Sequence, residues 1–420
     1  MEKETVIKIV AGAAAGAVGL TTGIASAMLY SRTVPRQEGT SQDIINEFAD
    51  PEKMAGYAVT MAPVGEWMKQ QNLEEVNIYS RDGLMLHAYY LAAETPSDRL
   101  VILHHGFTSN AMDNSTHAMF FHAQGYGVLL LDLRAHGKSE GAYTGFGILD
   151  RYDTLEWVRY SRKRFGGNIK IVLHGTSMGA STVLMALGIP EIQSSVSAVI
   201  ADCAYTSPND IFAHVIEKNY HLPAAPILKV TSIRAKSTAG YSFDEYSTLD
   251  ALSDNRVPVL FIHGSEDKFV PTWMSRKNYA VCPGKKKLLI VENAGHGSSV
   301  FENRDLYEQT EKEFLEDVLS YRSVDAENAE NAEAGNVENA EAESAENAEA
   351  GNVENAEAES AENADAGNVE NAEAESAENA EAGNVENAEA ESAENAEAGN
   401  VENADAVNAE HAETGEDRSV

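Results

Sequence analysis

Gly175, Ser177 and Gly179 form a G-x-S-x-G pattern whose central hydroxyl could act as a nucleophile. The pattern follows the apolar run 171–173 and precedes a helical run that begins at Ala180. A strand, a sharp turn and a helix in this order hold a serine at strained backbone angles, which small flanking residues permit. Free N–H groups at the start of the helix can stabilise an oxyanion. The sequence therefore predicts acyl transfer at Ser177.

A nucleophilic serine needs a base, and the base needs an acid that orients it. Two further strands are predicted over 257–263 and 287–291, and they are followed by Asp267 and His296 respectively. Like Ser177, both residues lie just beyond the carboxyl end of a strand, where ligand sites of open parallel sheets are found. The predicted roles are Ser177 as nucleophile, His296 as base and Asp267 as acid.

Asp202 is a rival for the role of the acid, because it also ends a predicted strand that follows the serine. The neighbouring residues favour Asp267 over Asp202, because His263 and Gly264 precede Asp267 and Val270 and Pro271 follow it. Asp267 is therefore the predicted acid.

With these motifs, the chain resembles the α/β-hydrolase superfamily. The matching segments lie between about residues 75 and 320 and are 104–107, 132–139, 175–179, 263–267 and 295–297. They are most similar to bacterial serine hydrolases grouped with S33 and S9-type peptidases and to membrane-anchored Bem46-like hydrolases. The resemblance implies the same three roles for Ser177, Asp267 and His296. It also implies an oxyanion hole made by the backbone N–H groups of Phe107 and Met178, and a reaction that requires no cofactor.

Strand and helix patterns alternate along most of this region. A hairpin is predicted over 76–92, strands over 100–104, 127–133 and 196–201, and helices between them. Such alternation predicts an α/β fold with a mostly parallel sheet covered by helices on both faces. In the fold that the resemblance implies, residues 203–256 form a small cap, and the hydrolase domain extends over 75–322.

The residues leave three functions open. The first is hydrolysis of an ester or related acyl bond of a small molecule. The second is peptide hydrolysis of the aminopeptidase or prolyl-oligopeptidase type, in which Glu266 or Asp244 could hold a substrate amine. The third is a non-catalytic, membrane-tethered interaction protein, against which the intact set of serine, acid and histidine argues.

Charge is divided unequally along the chain, which has a formal net charge of −36. Residues 325–420 hold about 30 of the acidic residues and a single basic residue, Arg418, so the rest carries roughly −7. This body has no basic patch that would predict nucleic-acid binding. Cys203 and Cys282 do not make a disulfide framework, and no cluster of cysteine and histidine has zinc spacing, so no metal site is predicted.

The uncharged run Ile9–Ser31 is long enough to cross a bilayer. It predicts an N-terminal membrane anchor over residues 1–32, followed by a linker and helical lead-in over 33–74. Basic residues flank the run equally on both sides, which leaves the orientation undetermined. A cleaved signal ending at Ala25-Ser26-Ala27 is the alternative.

Glycine and valine recur every 16 residues in the acidic tail, 323–420. One valine per unit is the only sizeable apolar side chain, so no core of the usual kind can form, and the glutamates repel one another. The tail is therefore predicted to be disordered.

Overall fold

The computed structural model describes residues 19–37 and 51–330, together with the tail segments 337–342, 345–358, 361–374, 377–390, 393–406 and 412–414. The chain divides into two compact units, Met1–Val318 and Leu319–Val420.

An eight-stranded sheet forms the centre of the first unit, in the order β1-β2-β4-β3-β5-β6-β7-β8. Strands β1 and β2 form the predicted hairpin, β2 also runs antiparallel to β4, and all the other neighbours are parallel. The strands are β1 Glu74–Tyr79, β2 Met85–Leu91, β3 Arg99–His104, β4 Gly127–Asp132, β5 Lys170–Thr176, β6 Val196–Asp202, β7 Val259–Gly264 and β8 Lys286–Val291. The mostly parallel sheet expected from the sequence is confirmed.

The inner strands are continuous apolar runs because both faces of the sheet are covered. Every residue of β4, β6 and β7 is buried, whereas the edge strand β1 is largely exposed. The helices that surround the sheet are α1 (19–33), α2 Pro51–Lys69, α3 Ser115–Ala123, α4 Asp150–Phe165, α5 Met178–Ala186, α6 Pro190–Ser195, α7 Pro208–Asn219, α8 Ala224–Ala239, α9 Thr248–Leu252, α10 Trp273–Val281, α11 Ser299–Glu302 and α12 Arg304–Glu330.

Residues 203–256 connect β6 to β7 and contain α7, α8 and α9. We call this segment the cap. Its inner side joins the core through Phe212, whose ring lies 5.1 Å from that of Phe146 and 4.9 Å from that of Phe243. The cap therefore packs on the sheet domain through aromatic side chains.

Helix α1 packs on the cap helix α8. The Ser26 and Thr231 hydroxyls lie 2.8 Å apart, as do those of Tyr30 and Thr238, and the Arg234 guanidinium stacks on the Tyr30 ring at 4.0 Å. The residues of α1 that face the domain recur with helical spacing, so one side of the helix is covered by protein.

The segment after α1 fixes its end to the domain. The Arg36 guanidinium donates to the carbonyl oxygens of Ser139 and Gly137 at 2.6 Å each, and Pro35 pairs with Tyr143 in a short bridge. Residues 19–37 are therefore part of the folded unit, although the sequence analysis assigned them to an anchor and a linker.

No helix among the described residues is both long and apolar enough to cross a bilayer. Residues 9–18 of the predicted span lie outside the described residues. The remaining part, 19–31, contains polar contacts to α8 because Ser26 and Tyr30 face protein, which the apolar count alone could not reveal. A spanning helix over this part is corrected to a helix that packs on the cap.

Six strands of the repeat tail pair side by side in a parallel sheet, and they belong to the second unit. They are β9 Val337–Ala342, β10 Ala345–Ala358, β11 Ala361–Ala374, β12 Ala377–Ala390, β13 Ala393–Ala406 and β14 Ala412–Thr414. Each residue pairs with its equivalent one repeat later, as Asn347 does with Asn363 and Val353 with Val369.

This pairing of the described segments differs from the disorder predicted for the tail, which stays a prediction for the tail as a whole. The prediction considered only the apolar side chains available for a core. In-register pairing of identical repeats instead satisfies backbone N–H and C=O groups, and this needs no large apolar side chains.

A buried ion pair connects the loop after β4 to α4. The Arg134 guanidinium donates to both carboxylate oxygens of Asp153 at 2.6 Å, and both side chains are 4% exposed. Burial raises the pKa of Asp153 to about 6, and Arg134 opposes that rise. Losing the guanidinium would leave a buried carboxyl group without its cation.

We expect Arg134→Met to lower the free energy of unfolding by about 3–5 kcal/mol, because one partner of a buried pair is removed. Arg159→Met is the matched control, since Arg159 pairs with Glu191 at the surface, 48% and 44% exposed, and should cost less than about 1 kcal/mol. Urea unfolding of both variants measures the difference, and equal losses would show that burial of the pair is immaterial.

Candidate active site

The turn between β5 and α5 holds Ser177 at φ 57° and ψ −113°. A positive φ is rare for a residue other than glycine. The Ser177 N–H donates to the carbonyl oxygen of Asp202 at 2.8 Å, and its carbonyl oxygen accepts from Ser181 at 3.0 Å. These two bonds tie the strained residue to β6 and to the first turn of α5.

The flanking glycines allow strand and helix to meet at this turn. A Cβ built on Gly175 would lie 2.4 Å from backbone atoms of Gly179, and one built on Gly179 would lie 2.2 Å from the carbonyl oxygen of His104. Real Cβ atoms do not approach backbone atoms so closely, so only glycine fits at either position. The two glycines of the G-x-S-x-G pattern are thus required for steric reasons.

Ser177, His296 and Asp267 form a continuous chain of hydrogen bonds. Ser177 Oγ lies 2.8 Å from His296 Nε2, and His296 Nδ1 lies 2.7 Å from Asp267 Oδ2. The Asp267 carboxylate is fully buried, whereas the His296 side chain is 22% exposed. The structure therefore brings together all three residues chosen from the sequence. The imidazole lies between the buried carboxylate and the serine and is partly accessible to solvent.

Four groups surround the carboxylate of Asp267. Oδ1 accepts from the backbone N–H groups of Phe269 and Val270 at 2.9 and 2.8 Å, and Oδ2 lies 2.7 Å from His296 and 3.3 Å from His263 Nε2. Burial alone would raise the pKa of Asp267, but the charge of His296 and the bonds from both histidines outweigh it and hold the pKa well below its usual value. This carboxylate stays ionised.

Asp202 lies nearby and has a different environment. Its Oδ1 accepts from the Ser299 hydroxyl at 3.2 Å, and its backbone carbonyl holds the Ser177 N–H. Burial raises the pKa of Asp202 to about 6. His296 Nδ1 donates its hydrogen bond to Asp267 rather than to this rival.

The two carboxylates act together on His296. Burial favours the neutral imidazole, but the charge and hydrogen bond of Asp267 and the charge of Asp202 outweigh it and raise the pKa of His296 above its ordinary value of 6.5. A base with a raised pKa accepts a proton more readily and is neutral only at a higher pH.

Phe107 and Met178 lie beside the serine. Gly106 approaches Ser177 so closely that a Cβ on it would be 3.5 Å from the Ser177 Cβ, which places the next residue, Phe107, at the same site. Met178 begins α5, and its N–H therefore has no acceptor within that helix. The two residues implied by the resemblance therefore directly follow, in the chain, two residues that approach each other, Gly106 and Ser177.

Two histidines hold the loop that carries Phe107. His136 donates from Nδ1 to the Arg134 carbonyl and accepts at Nε2 from the Thr108 N–H at 3.1 Å. His105 donates to the Gly106 carbonyl at 2.7 Å and accepts from the Leu133 N–H at 3.0 Å. Burial lowers the pKa of both, so each is a neutral imidazole with a fixed tautomer.

Asp132 organises the loops behind this site, a role that the sequence analysis did not assign. Its carboxylate accepts from the N–H groups of Ala111 and Lys138 at 2.9 and 3.0 Å and lies 2.9 Å from His87 Nδ1. Gly137 passes so close that a Cβ would lie 2.1 Å from Asp132 Oδ1. Asp132 belongs to the motif of residues 132–139, which the sequence analysis quoted. The spacing of that motif does not reveal that its first carboxylate is buried and accepts hydrogen bonds from two loops.

Aromatic rings line the route from the serine to the cap. Phe107 lies 5.1 Å from Phe146, which in turn contacts Phe212 of α7. Phe269 lies 5.0 Å from His296 on the other side. Aromatic side chains therefore lie near both the loop that carries Phe107 and the imidazole of His296.

The acidic residues considered for an amine are placed differently. Glu266 and Asp244 are both exposed, and neither contacts Ser177 or His296. Among the described residues, the carboxylate that hydrogen-bonds to His296 is that of Asp267, and Asp202 reaches Ser177 through its backbone carbonyl.

Two groups of side chains have the composition of a metal site within the described residues. One joins Cys203 to Asp267 and His296, and the other joins His117, His174 and Glu311. In the second group, burial raises the pKa of Glu311 well above its usual value and lowers that of His174 to about 3. His174 Nε2 lies 3.1 Å from Glu311 Oε1, and both carboxyl oxygens of Glu311 are buried without a hydrogen bond.

A family model described as the alpha/beta hydrolase family matches residues 101–310. The Bacillus subtilis protein YqkD is 31% identical over 256 residues, which cover 61% of this chain and 83% of YqkD. The Schizosaccharomyces pombe protein bem46 is 27% identical over 221 residues, covering 51% of this chain and 67% of bem46. The relatives expected from the sequence, Bem46-like hydrolases, are thus present.

Among solved structures, the Pyrococcus furiosus esterase Pf2001 is similar at a TM-score of 0.48, with 23% identity, covering 59% of this chain and 92% of that one. A Pyrococcus horikoshii acylaminoacyl peptidase is similar at a TM-score of 0.47, with 17% identity, covering 61% and 43% respectively.

We expect the NMR titration midpoint of the His296 ring to lie above pH 6.5 and to move to lower pH in Asp202→Asn. The reason is that this substitution removes one of the two negative charges that favour the imidazolium. The His296→Gln spectrum identifies the resonance. An unchanged midpoint in Asp202→Asn would show that Asp202 does not act on the imidazole.

Proposed function

Because the chain belongs to the α/β-hydrolase family, we propose that it is a serine hydrolase that cleaves a carboxylic ester, or a related acyl bond, through an acyl-enzyme. The observation that carries the proposal is the hydrogen-bond chain from Ser177 Oγ through His296 to Asp267, with distances of 2.8 and 2.7 Å. No step of this reaction calls for a cofactor.

In the proposed mechanism, His296 Nε2 takes the proton of Ser177 as the hydroxyl oxygen attacks the substrate carbonyl. Asp267, which remains ionised, holds the Nδ1–H tautomer and stabilises the imidazolium that forms. His296 then gives the proton to the leaving group. Water, activated in turn by His296, cleaves the acyl-enzyme and restores the serine.

The developing oxyanion accepts from the N–H groups of Phe107 and Met178. A helix N-terminus adds favourable polarity at this point, and loss of one such donor typically costs about 3 kcal/mol of transition-state stabilisation. Because His105 and His136 are neutral and fixed, they hold this loop without placing a competing charge beside it.

An ester with an apolar acyl group fits these surroundings better than a peptide with a free amine. Phe107, Phe146 and Phe269 offer apolar contact near the serine. An aminopeptidase needs a carboxylate that holds the substrate amine, and the two candidates, Glu266 and Asp244, are exposed to solvent. The ester is therefore the proposed substrate class.

We expect Ser177→Ala and His296→Ala each to abolish hydrolysis of p-nitrophenyl butyrate, because nucleophile and base act as one unit. Labelling by a fluorophosphonate should be lost in Ser177→Ala. Circular dichroism checks that both variants remain folded. Persistent labelling of Ser177→Ala would place the nucleophile elsewhere, and faster cleavage of aminoacyl anilides than of esters would favour the peptidase.

The acid is separated from its rival by a matched pair of amides. Asp267→Asn should reduce kcat by several orders of magnitude, because an amide cannot hold the productive tautomer. Asp202→Asn should retain most of kcat, because Asp202 does not contact the imidazole. The opposite ranking, with both variants folded, would reverse the assignment.

We also infer that the enzyme is held at a membrane by its N-terminal apolar segment. Residues 9–18 are uncharged, and residues 19–37, which follow them, pack on the folded unit. We place the run before residue 19 in lipid, with Ser26 and Tyr30 joining it to the cap. The sequence does not select the side of the membrane.

We expect the full chain to remain with membranes in alkaline carbonate, whereas deletion of residues 1–18 makes it extractable without loss of esterase activity. The deletion keeps Ser26 and Tyr30, which contact α8 of the cap, and Arg36, which contacts the loop after β4. Quantitative release of the full chain by carbonate would contradict the anchor. Deletion of 1–37 is the control, and it should destabilise the domain.

A further inference from the structure

Exposed large apolar side chains are concentrated on α1 and the cap. Ile24 is 53% exposed and Ile233 is 62% exposed, although such side chains are usually buried. We call this set the outer cap face. It comprises Leu20, Ile24 and Met28 of α1, Tyr220 and Leu222 of the turn between α7 and α8, and Val230 and Ile233 of α8.

The two helices of the outer cap face are joined directly. The Ser26–Thr231 and Tyr30–Thr238 hydrogen bonds hold α1 along α8. Leu20, Ile24 and Met28 recur every four residues and therefore lie along one side of α1, which is not the side that contacts α8. The exposed apolar residues of both helices thus belong to one firmly connected part of the molecule.

Basic residues accompany this face, and acidic residues are missing from the same sequence. Residues 218–243 contain Lys218, Lys229 and Arg234 and no acidic residue, while Lys236 pairs with Glu245 at 2.8 Å. Residues 5–37 contain Lys8 and Arg32, again without an acidic residue, while Arg36 is bonded to the Ser139 and Gly137 carbonyls. This is unusual in a body that carries roughly −7 overall.

An apolar surface with basic residues and a helix that continues into an uncharged run is complementary to a bilayer that contains anionic lipid. A second copy of this chain fits less well, because the same cations would face one another. We propose that the outer cap face rests on an anionic lipid surface, so that the cap takes acyl substrates directly from the bilayer.

The position of the cap explains how docking would serve catalysis, and this part rests on the proposed esterase function. Phe212 of α7 contacts Phe146, and Phe146 contacts Phe107 beside the serine. The same short segment therefore has its inner side on the apolar wall of the site and its outer side on the lipid. An acyl chain leaving the bilayer would meet apolar side chains along the way.

The first test places a fluorophore on the face. The full chain carrying Ile233→Cys is labelled with the environment-sensitive dye NBD, while the native Cys203 and Cys282 are fully buried. Leu306→Cys is the control, because Leu306 is 43% exposed on α12. With vesicles of phosphatidylcholine and phosphatidylglycerol, we expect a blue shift at position 233, quenched by spin-labelled lipid, and none at position 306.

Three outcomes would overturn the inference. The dye at position 233 could remain in water while the chain is bound to vesicles, or it could report equally on vesicles of phosphatidylcholine alone. A blue shift at position 233 in the absence of lipid, together with a doubled mass in light scattering, would identify a second copy as the occupant.

The second test measures substrate delivery. In Val230→Asp/Ile233→Asp, hydrolysis of a fluorogenic ester embedded in anionic vesicles should fall several-fold, while hydrolysis of dissolved p-nitrophenyl butyrate stays unchanged. Leu306→Asp should alter neither rate. An equal fall on both substrates would contradict delivery from lipid. Absence of hydrolysis in the unaltered chain, with the dye still shifted by vesicles, would refute the esterase proposal but leave docking intact.

Discussion

The structure depends on one steric constraint, the absence of room for a Cβ at Gly175 and Gly179. Strand β5 and helix α5 meet there at backbone contact, and β3 approaches from the side through the His104 carbonyl. This closeness forces the residue between them to a positive φ and turns its hydroxyl out of the sheet. The same contact brings β3 and its following loop, with Phe107, to the serine. The same two glycines are therefore required both for the packing of the sheet against α5 and for the position of the serine.

Two buried carboxylates near one imidazole have opposite environments. Asp267 accepts from two backbone N–H groups and two histidines, which stabilise its charge, whereas Asp202 has only hydroxyl partners among the described residues and the penalty of burial. The pKa values of the two carboxyl groups differ because their hydrogen-bond donors differ. The extent of burial is not the cause, since both are almost fully buried. The protein thereby keeps a permanent negative charge beside the imidazole, on Asp267, and a second carboxylate, Asp202, whose pKa is raised to about 6.

Much of the fold and of the candidate site was predictable because local signals pointed in one direction. The hairpin, the inner strands, and the positions of Ser177, Asp267 and His296 at strand ends follow from apolar runs and turn residues. The role of Asp132 was not predictable, because its donors come from segments far apart in the chain. The packing of α1 was missed for a related reason: Ser26 looks neutral in an apolar run, and only Thr231, about two hundred positions later, gives it a partner. Pairing in the tail depends on identity between repeats, which an argument from composition ignores.

The register of the tail has a consequence for how this protein can vary. Since every pair joins a residue to its equivalent 16 positions later, gain or loss of a whole unit leaves each remaining residue facing its equivalent. An insertion of any other length would move the glycine and the valine of one strand away from their equivalents in the next. Near-identical tandem units in a coding sequence are prone to copying slippage, which adds or removes whole units. The number of strands in the tail sheet can therefore differ between closely related lineages. The hydrolase stays the same, because its residues end before the first repeat.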